Sequence, residues 1–163
     1  MVSALRTMSR ALKRDPSDIP AHPGFIRENL KGFSPAMLKR SEGRWRNTKS
    51  LVNAALKHVG LTTDPGSYRE PLAPPWAALL AKLDNKKRFG LLRLAQYCTQ
   101  KGISPSGIDN GVLDEFHAYL KATLMERSPR DLHRLACKTW NKATESVPEW
   151  PQRSVNVPDY TNR

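Results

Sequence analysis

Three groups of side chains carry the chemistry this sequence can support. In SPRDLHRLACKTWNKATESVPEWP, residues 128–151, Arg130, Arg134 and Lys138 stand four apart and Asn141 follows. That spacing lines them along one side of a helix. In NKKRFGLLR, residues 85–93, Lys86, Lys87, Arg88 and Arg93 form a second group. Arg44, Arg46, Asn47, Thr48 and Lys49 form a third, near the start of another helical pattern. Like charges four residues apart cost a helix roughly 0.2–0.5 kcal/mol per pair, so folding gains nothing from the row. An external anion would offset that cost. Arg and Lys neutralise phosphates or fork onto guanine, and Asn can pair with adenine, so the chemistry these residues suit is recognition of a polyanion.

The charge balance points the same way. Lys and Arg outnumber Asp and Glu 27 to 15, a formal net charge of +12. Residues 1–60 carry twelve basic and four acidic side chains, and residues 61–163 carry fifteen and eleven, so the excess is +8 and then +4. Any one of these cations taken singly reads as part of a solvated surface. Two basic helix faces beside one mostly acidic helix read instead as directional charge, which suits double-stranded DNA. RNA readers generally present aromatic platforms, and Phe, Trp and Tyr make up only 7% of this chain.

Other chemistry lacks a home. Cys98 and Cys137 lie in apolar helical segments and behave there as small hydrophobes, which points to a reducing compartment. His22, His58, His117 and His133 are isolated in sequence, and His133, at the edge of an apolar stripe, reads as a packing residue. No clustered ligand spacing, phosphate-cradling glycine loop or nucleophile elbow is present, so neither metal nor cofactor is expected. No apolar run approaches the length of a membrane span, and the first thirty residues lack a signal core, so the expected setting is cytoplasmic and nucleoid-associated.

The elements that must position these groups read as all-α. Thirteen prolines and nine glycines cut the chain into blocks, and no block shows the alternation a strand needs. Helices are expected over 3–14, 23–31, 42–59, 75–83, 85–101, from a cap at Asp109 onward, and over 129–146. Trp45, Val52, Ala55, Leu56 and Val59 form the apolar stripe of the third helix. Leu91, Leu94, Ala95 and Cys98 form that of the fifth, and Leu113, Phe116, Leu120 and Leu124 that of the sixth. In the last helix Leu132, Ala136, Trp140, Ala143 and Val147 face inward, opposite the basic row. The proline-rich LTTDPGSYREPLAPP reads as a linker.

Four blocks taken in order, SEGRWRNTKSLVNAALKHVGL, PPWAALLAKL, RLAQYCTQKGISPSGID and WNKATESVPEWP, resemble the amino-terminal portion of tyrosine recombinases, the phage-type integrases. The resemblance covers most of residues 23–160, and the leading forty residues fit it less well. It implies a core-binding domain, a four-helix-type orthogonal bundle with extra short N-terminal helices. By the resemblance the second and fourth bundle helices, here 85–101 and 129–146, lie against the major groove, and Arg44 to Lys49 contact the backbone. The division it suggests is an arm over 1–40, a DNA-binding domain over 41–150, and a tail over 151–163 leading to a missing catalytic domain. The partners would be duplex DNA and other recombinase protomers on it. In that family the cutting domain supplies arginines, a lysine, a His-x-x-Arg motif and a nucleophilic tyrosine. No His-x-x-Arg occurs here, and Tyr68, Tyr97, Tyr119 and Tyr160 have no assembled arginine and histidine company. No catalytic residue is therefore expected, and the chain reads as a non-enzymatic module. Two alternatives are a stand-alone helical regulator of a mobile element and a helical scaffold for an acidic protein.

Overall fold

Prolines and side-chain caps decide where the helices start. Pro23, Pro74 and Pro129 each occupy a first turn, where a missing N–H costs nothing. Ser41, Asp84, Asp109 and Ser128 accept backbone N–H groups from Arg44, Lys87, Val112 and Asp131, so four helix starts are fixed by local chemistry. The structure, a computed structural model, describes residues 2–61, 71–125 and 127–160. Most of the expected linker, and Tyr68 within it, lies outside those residues.

Among the described residues there are seven α-helices and no strand: α1 Val2–Leu12, α2 Pro23–Asn29, α3 Glu42–His58, α4 Pro74–Ala81, α5 Asn85–Lys101, α6 Asn110–Thr123 and α7 Pro129–Ser146. The expected bounds of α5 and α7 hold. Helix α1 ends two residues early because Lys13 turns left-handed at φ 52°. Gly102, at φ 69°, closes α5 in the left-handed conformation that glycine adopts without strain.

The chain divides into two compact units. The first holds α1, α2, α3 and the segment from Lys121 through Met125. Its core is Ala4, Met8, Ala11, Ile26, Trp45, Val52, Leu56 and Met125, with the Phe33 ring 4.9 Å from that of Trp45. The Arg27 guanidinium donates to the carbonyls of Lys121 and Leu124, tying that later segment down. This grouping differs from a boundary at residue 40. The stripe of α3 packs with α1, so the leading residues share a core with it. Val59 leaves the stripe and is 64% exposed, because the helix ends one residue before it.

The second unit holds α4, α5, α6 as far as Leu120, α7 and the tail to Tyr160. Leu91, Leu94, Ala95, Tyr97 and Cys98 of α5 are buried, as are Leu113, Phe116 and Leu120 of α6 and Ala136, Cys137, Trp140 and Ala143 of α7. Helix α5 packs against both α4 and α7. Trp140 stands between two other indoles, 6.2 Å from Trp76 and 5.1 Å from Trp150, ring centre to ring centre. Its Nε1–H donates to the Arg153 carbonyl at 2.8 Å, and Trp76 donates likewise to Ile103 at 2.8 Å. A buried indole keeps its polar edge satisfied this way. The tail runs back along α7 and buries Val155.

Trp140→Ala should cost about 3–5 kcal/mol, since it empties the centre of the second unit and strands the Arg153 carbonyl. Chemical denaturation of the two proteins checks this; a loss below about 1 kcal/mol would contradict the packing described.

Candidate nucleic-acid interface

Helices α5 and α7 bring two of the three basic groups into one unit. Lys87 Nζ lies 3.3 Å from Ser146 Oγ, so the first turn of α5 sits at the last turn of α7. Further along, a Cβ on Gly90 would come within 2.7 Å of Thr139 Oγ1, so the helices approach as closely as they do only because residue 90 has no side chain. Lys86, Arg88, Arg130 and Lys138 are exposed, and Lys87, Arg93 and Arg134 are half-buried. Lys87 also pairs with Asp84 at 3.1 Å. The Lys87 backbone N–H, and then its ammonium, hold the Asp84 carboxyl below the usual carboxylate range. The Arg134 Nε is enclosed without a hydrogen-bond partner. The third group, Arg44, Arg46, Asn47, Thr48 and Lys49, belongs to the first unit. Arg44, Arg46 and Asn47 are exposed there, while the Thr48 hydroxyl donates to the Arg44 carbonyl at 3.0 Å. Lys49 is half-buried and lines an open crevice of about 350 Å³ with Phe33, Trp45, Lys31 and Glu42.

Asn141 does not extend the basic row. Its Nδ2 donates to the Val155 carbonyl and its Oδ1 accepts from the Val155 N–H, both at 2.9 Å, so both ends of the amide hold the tail. At 100° per residue a step of three from Lys138 turns back toward the covered side, whereas a step of four continues the row. Lys142, exposed, takes that place. Two apolar side chains also stand out in the basic region: Phe89 is 65% exposed and Leu135 48%. Phe89 lies off the buried stripe of α5, two residues before Leu91. That displacement is the sequence signal that could have singled it out.

Sequence alone placed no histidine beside Tyr160, and the fold does. Helices α6 and α7 stack His117 on His133, ring centres 4.7 Å apart and planes within 6°. The Tyr160 hydroxyl lies 2.7 Å from His133 Nδ1 and 3.3 Å from His117 Nδ1, and the Arg130 guanidinium sits 5.5 Å above its ring. Burial pushes the phenol up from its ordinary value, with Arg130 opposing, so it stays protonated at neutral pH. Burial lowers His133, with Asp114 opposing, and His133 is the packing residue its position suggested, 3% exposed. Among the described residues no group of three His, Cys, Asp or Glu side chains is placed to hold a metal, and no helix is long and apolar enough to cross a membrane.

Compared with family models, curated proteins and solved structures, the chain matches none.

Both thiols are buried, which pushes Cys98 up to about 12 and Cys137 up to about 11. Two to three pKa units remove that share of thiolate, so the folded protein at pH 8 should react with Ellman's reagent at least about a hundredfold more slowly than the urea-unfolded chain. Prompt labelling of either cysteine in the folded state would contradict the burial.

Proposed function

We propose that this chain is a duplex-DNA-binding module of the core-binding kind found in tyrosine recombinases, with α4 to α7 as its bundle and α5 and α7 as its contact helices. The observation that carries the reading is the direct packing of α5 on α7, which joins the exposed Lys86, Arg88, Lys138 and Lys142 to one support. Lys86, Lys87 and Arg88 crowd the first turn of α5, the positive end of the helix dipole, where cations are unfavourable. A phosphate there would relieve both the dipole and the mutual repulsion. The four sequence blocks supply the family likeness, and since a major groove admits a single α-helix, one of the two helices can enter it while the cations of the other meet the backbone. In this reading the module performs no strand cleavage of its own and works beside other recombinase protomers on the same duplex.

Phe89 deepens the reading. An aromatic ring exposed among four cations contributes little to folding, and in a groove it can meet a thymine methyl or the face of a base. The cations supply sequence-independent affinity, and the ring supplies a contact that salt does not screen.

Binding to a labelled random duplex, followed by anisotropy, should fall roughly 10²- to 10³-fold between about 50 and 200 mM salt if about five phosphates are contacted. Replacing Lys138 and Lys142 by Ala should leave stability within about 0.5 kcal/mol and reduce the slope of log K against log salt by about 2. Phe89→Ala should weaken binding with the slope unchanged. Affinity that does not weaken as salt rises would sink the proposal and favour a protein partner instead.

A further inference from the structure

The tail is strapped to the second unit along its length. Trp140 holds Arg153, Asn141 holds Val155, Asn110 accepts the Asn156 N–H at 2.8 Å, and His133 and His117 hold Tyr160. Successive contacts step backward along α7, from 141 to 133, and forward along α6, from 110 to 117. The strap therefore lies in the groove between those two helices, and its far end rests on the imidazole pair.

That end has a particular proton requirement. One hydroxyl has a single proton to donate, so two Nδ1 atoms can share it only if one ring accepts the O–H and the other donates an Nδ1–H. The accepting ring must be neutral with its proton on Nε2, whereas the donating ring can be neutral or charged, so the arrangement tolerates at most one imidazolium. If both rings were charged, both Nδ1 atoms would donate, the tyrosine O–H would face no acceptor, and two parallel cations would lie 4.7 Å apart. His133 Nε2 is enclosed without a hydrogen-bond partner, so the N–H that an imidazolium must carry there has nothing to bind. The groups facing the pair are Asp114 on α6, Arg130 and Cys137 on α7, and Tyr160 itself. The Asp114 carboxylate is set against Arg130 and the second imidazole, Asp159 adjoins Tyr160 on the strap, and Cys137 and Tyr160 remain neutral over the histidine range.

We infer that the segment from Gln152 to Tyr160 is a proton-sensitive strap, closed while the stacked histidines are neutral and released at its Tyr160 end when acid charges them. This goes beyond the duplex reading and does not depend on it; release would also lift the ring from beneath Arg130, freeing that guanidinium for another partner. The lowered His133 supports the direction. A histidine whose folded value is depressed contributes stability that is complete above its unfolded value, about 6.5, and is lost as pH falls from there through the folded value.

The test is amide NMR of the full chain, taken from about pH 7.5 down to about pH 5, across the histidine range. The Val155 and Asn156 amides, bonded to Asn141 and Asn110, should lose at least tenfold of their exchange protection while those of α5 keep theirs. Tyr160→Phe, which keeps the ring and removes the hydroxyl, should loosen the strap already at neutral pH and shrink the acid step. His117→Gln, at a half-buried site that tolerates change better than His133, should leave the folded unit intact and move the midpoint of release. A strap that stays protected throughout, or a step of the same size and midpoint in both variants, would overturn the inference.

Discussion

The two basic helices of the second unit meet where a residue with no side chain faces a threonine. Gly90 of α5 meets Thr139 of α7 at a separation that any Cβ would violate, and the position of both basic helices follows from that contact. A side chain at residue 90 would have to displace Thr139 or push the two helices apart, in the same unit that holds the Trp76–Trp140–Trp150 stack and the Lys87–Ser146 contact. Interiors are packed to a density at which a single added methyl must displace something. The charge on the outside of this unit is thus held in place by a small-residue contact beneath it.

Charge and packing pull in different directions along α7. A helix with three cations at steps of four, and a fourth at Lys142, loses a little stability to repulsion. The apolar side more than compensates: Ala136, Cys137, Trp140 and Ala143 are buried, and the tail adds Val155. Asp131 in the first turn suits the helix dipole, but its single charge does not cancel the row. The anionic partner proposed for this surface would offset that cost.

Much of this could be read from residue order, and the division between what could and what could not is physical. Helix starts are local: Ser41, Asp84, Asp109 and Ser128 sit three residues before the N–H they cap, so their effect lies within one window of sequence. The apolar stripes of α5, α6 and α7 are periodic and came through, Leu132 alone being only half-buried. Three features were not legible because they depend on contacts between distant residues. Helix α3 has the stripe of a bundle helix, but nothing in its spacing says that α1 rather than a later helix covers it. Asn141 resembles a base reader until Val155, fourteen residues on, takes both ends of its amide. His117, His133 and Tyr160 are separated by sixteen and twenty-seven residues and meet only through the antiparallel run of α6, α7 and the tail.

Met125 and the carbonyls that receive Arg27 belong to the first unit, although more than sixty residues separate them from the end of α3. A ribosome would release all of α1 to α3 well before the methionine that completes their core. Until residue 125 emerges, Ile26 and Trp45 lack one of their apolar partners and the Arg27 guanidinium has no carbonyls to bind. The front of the molecule thus cannot mature in order of synthesis, and its completion waits for most of the second unit's sequence to exist.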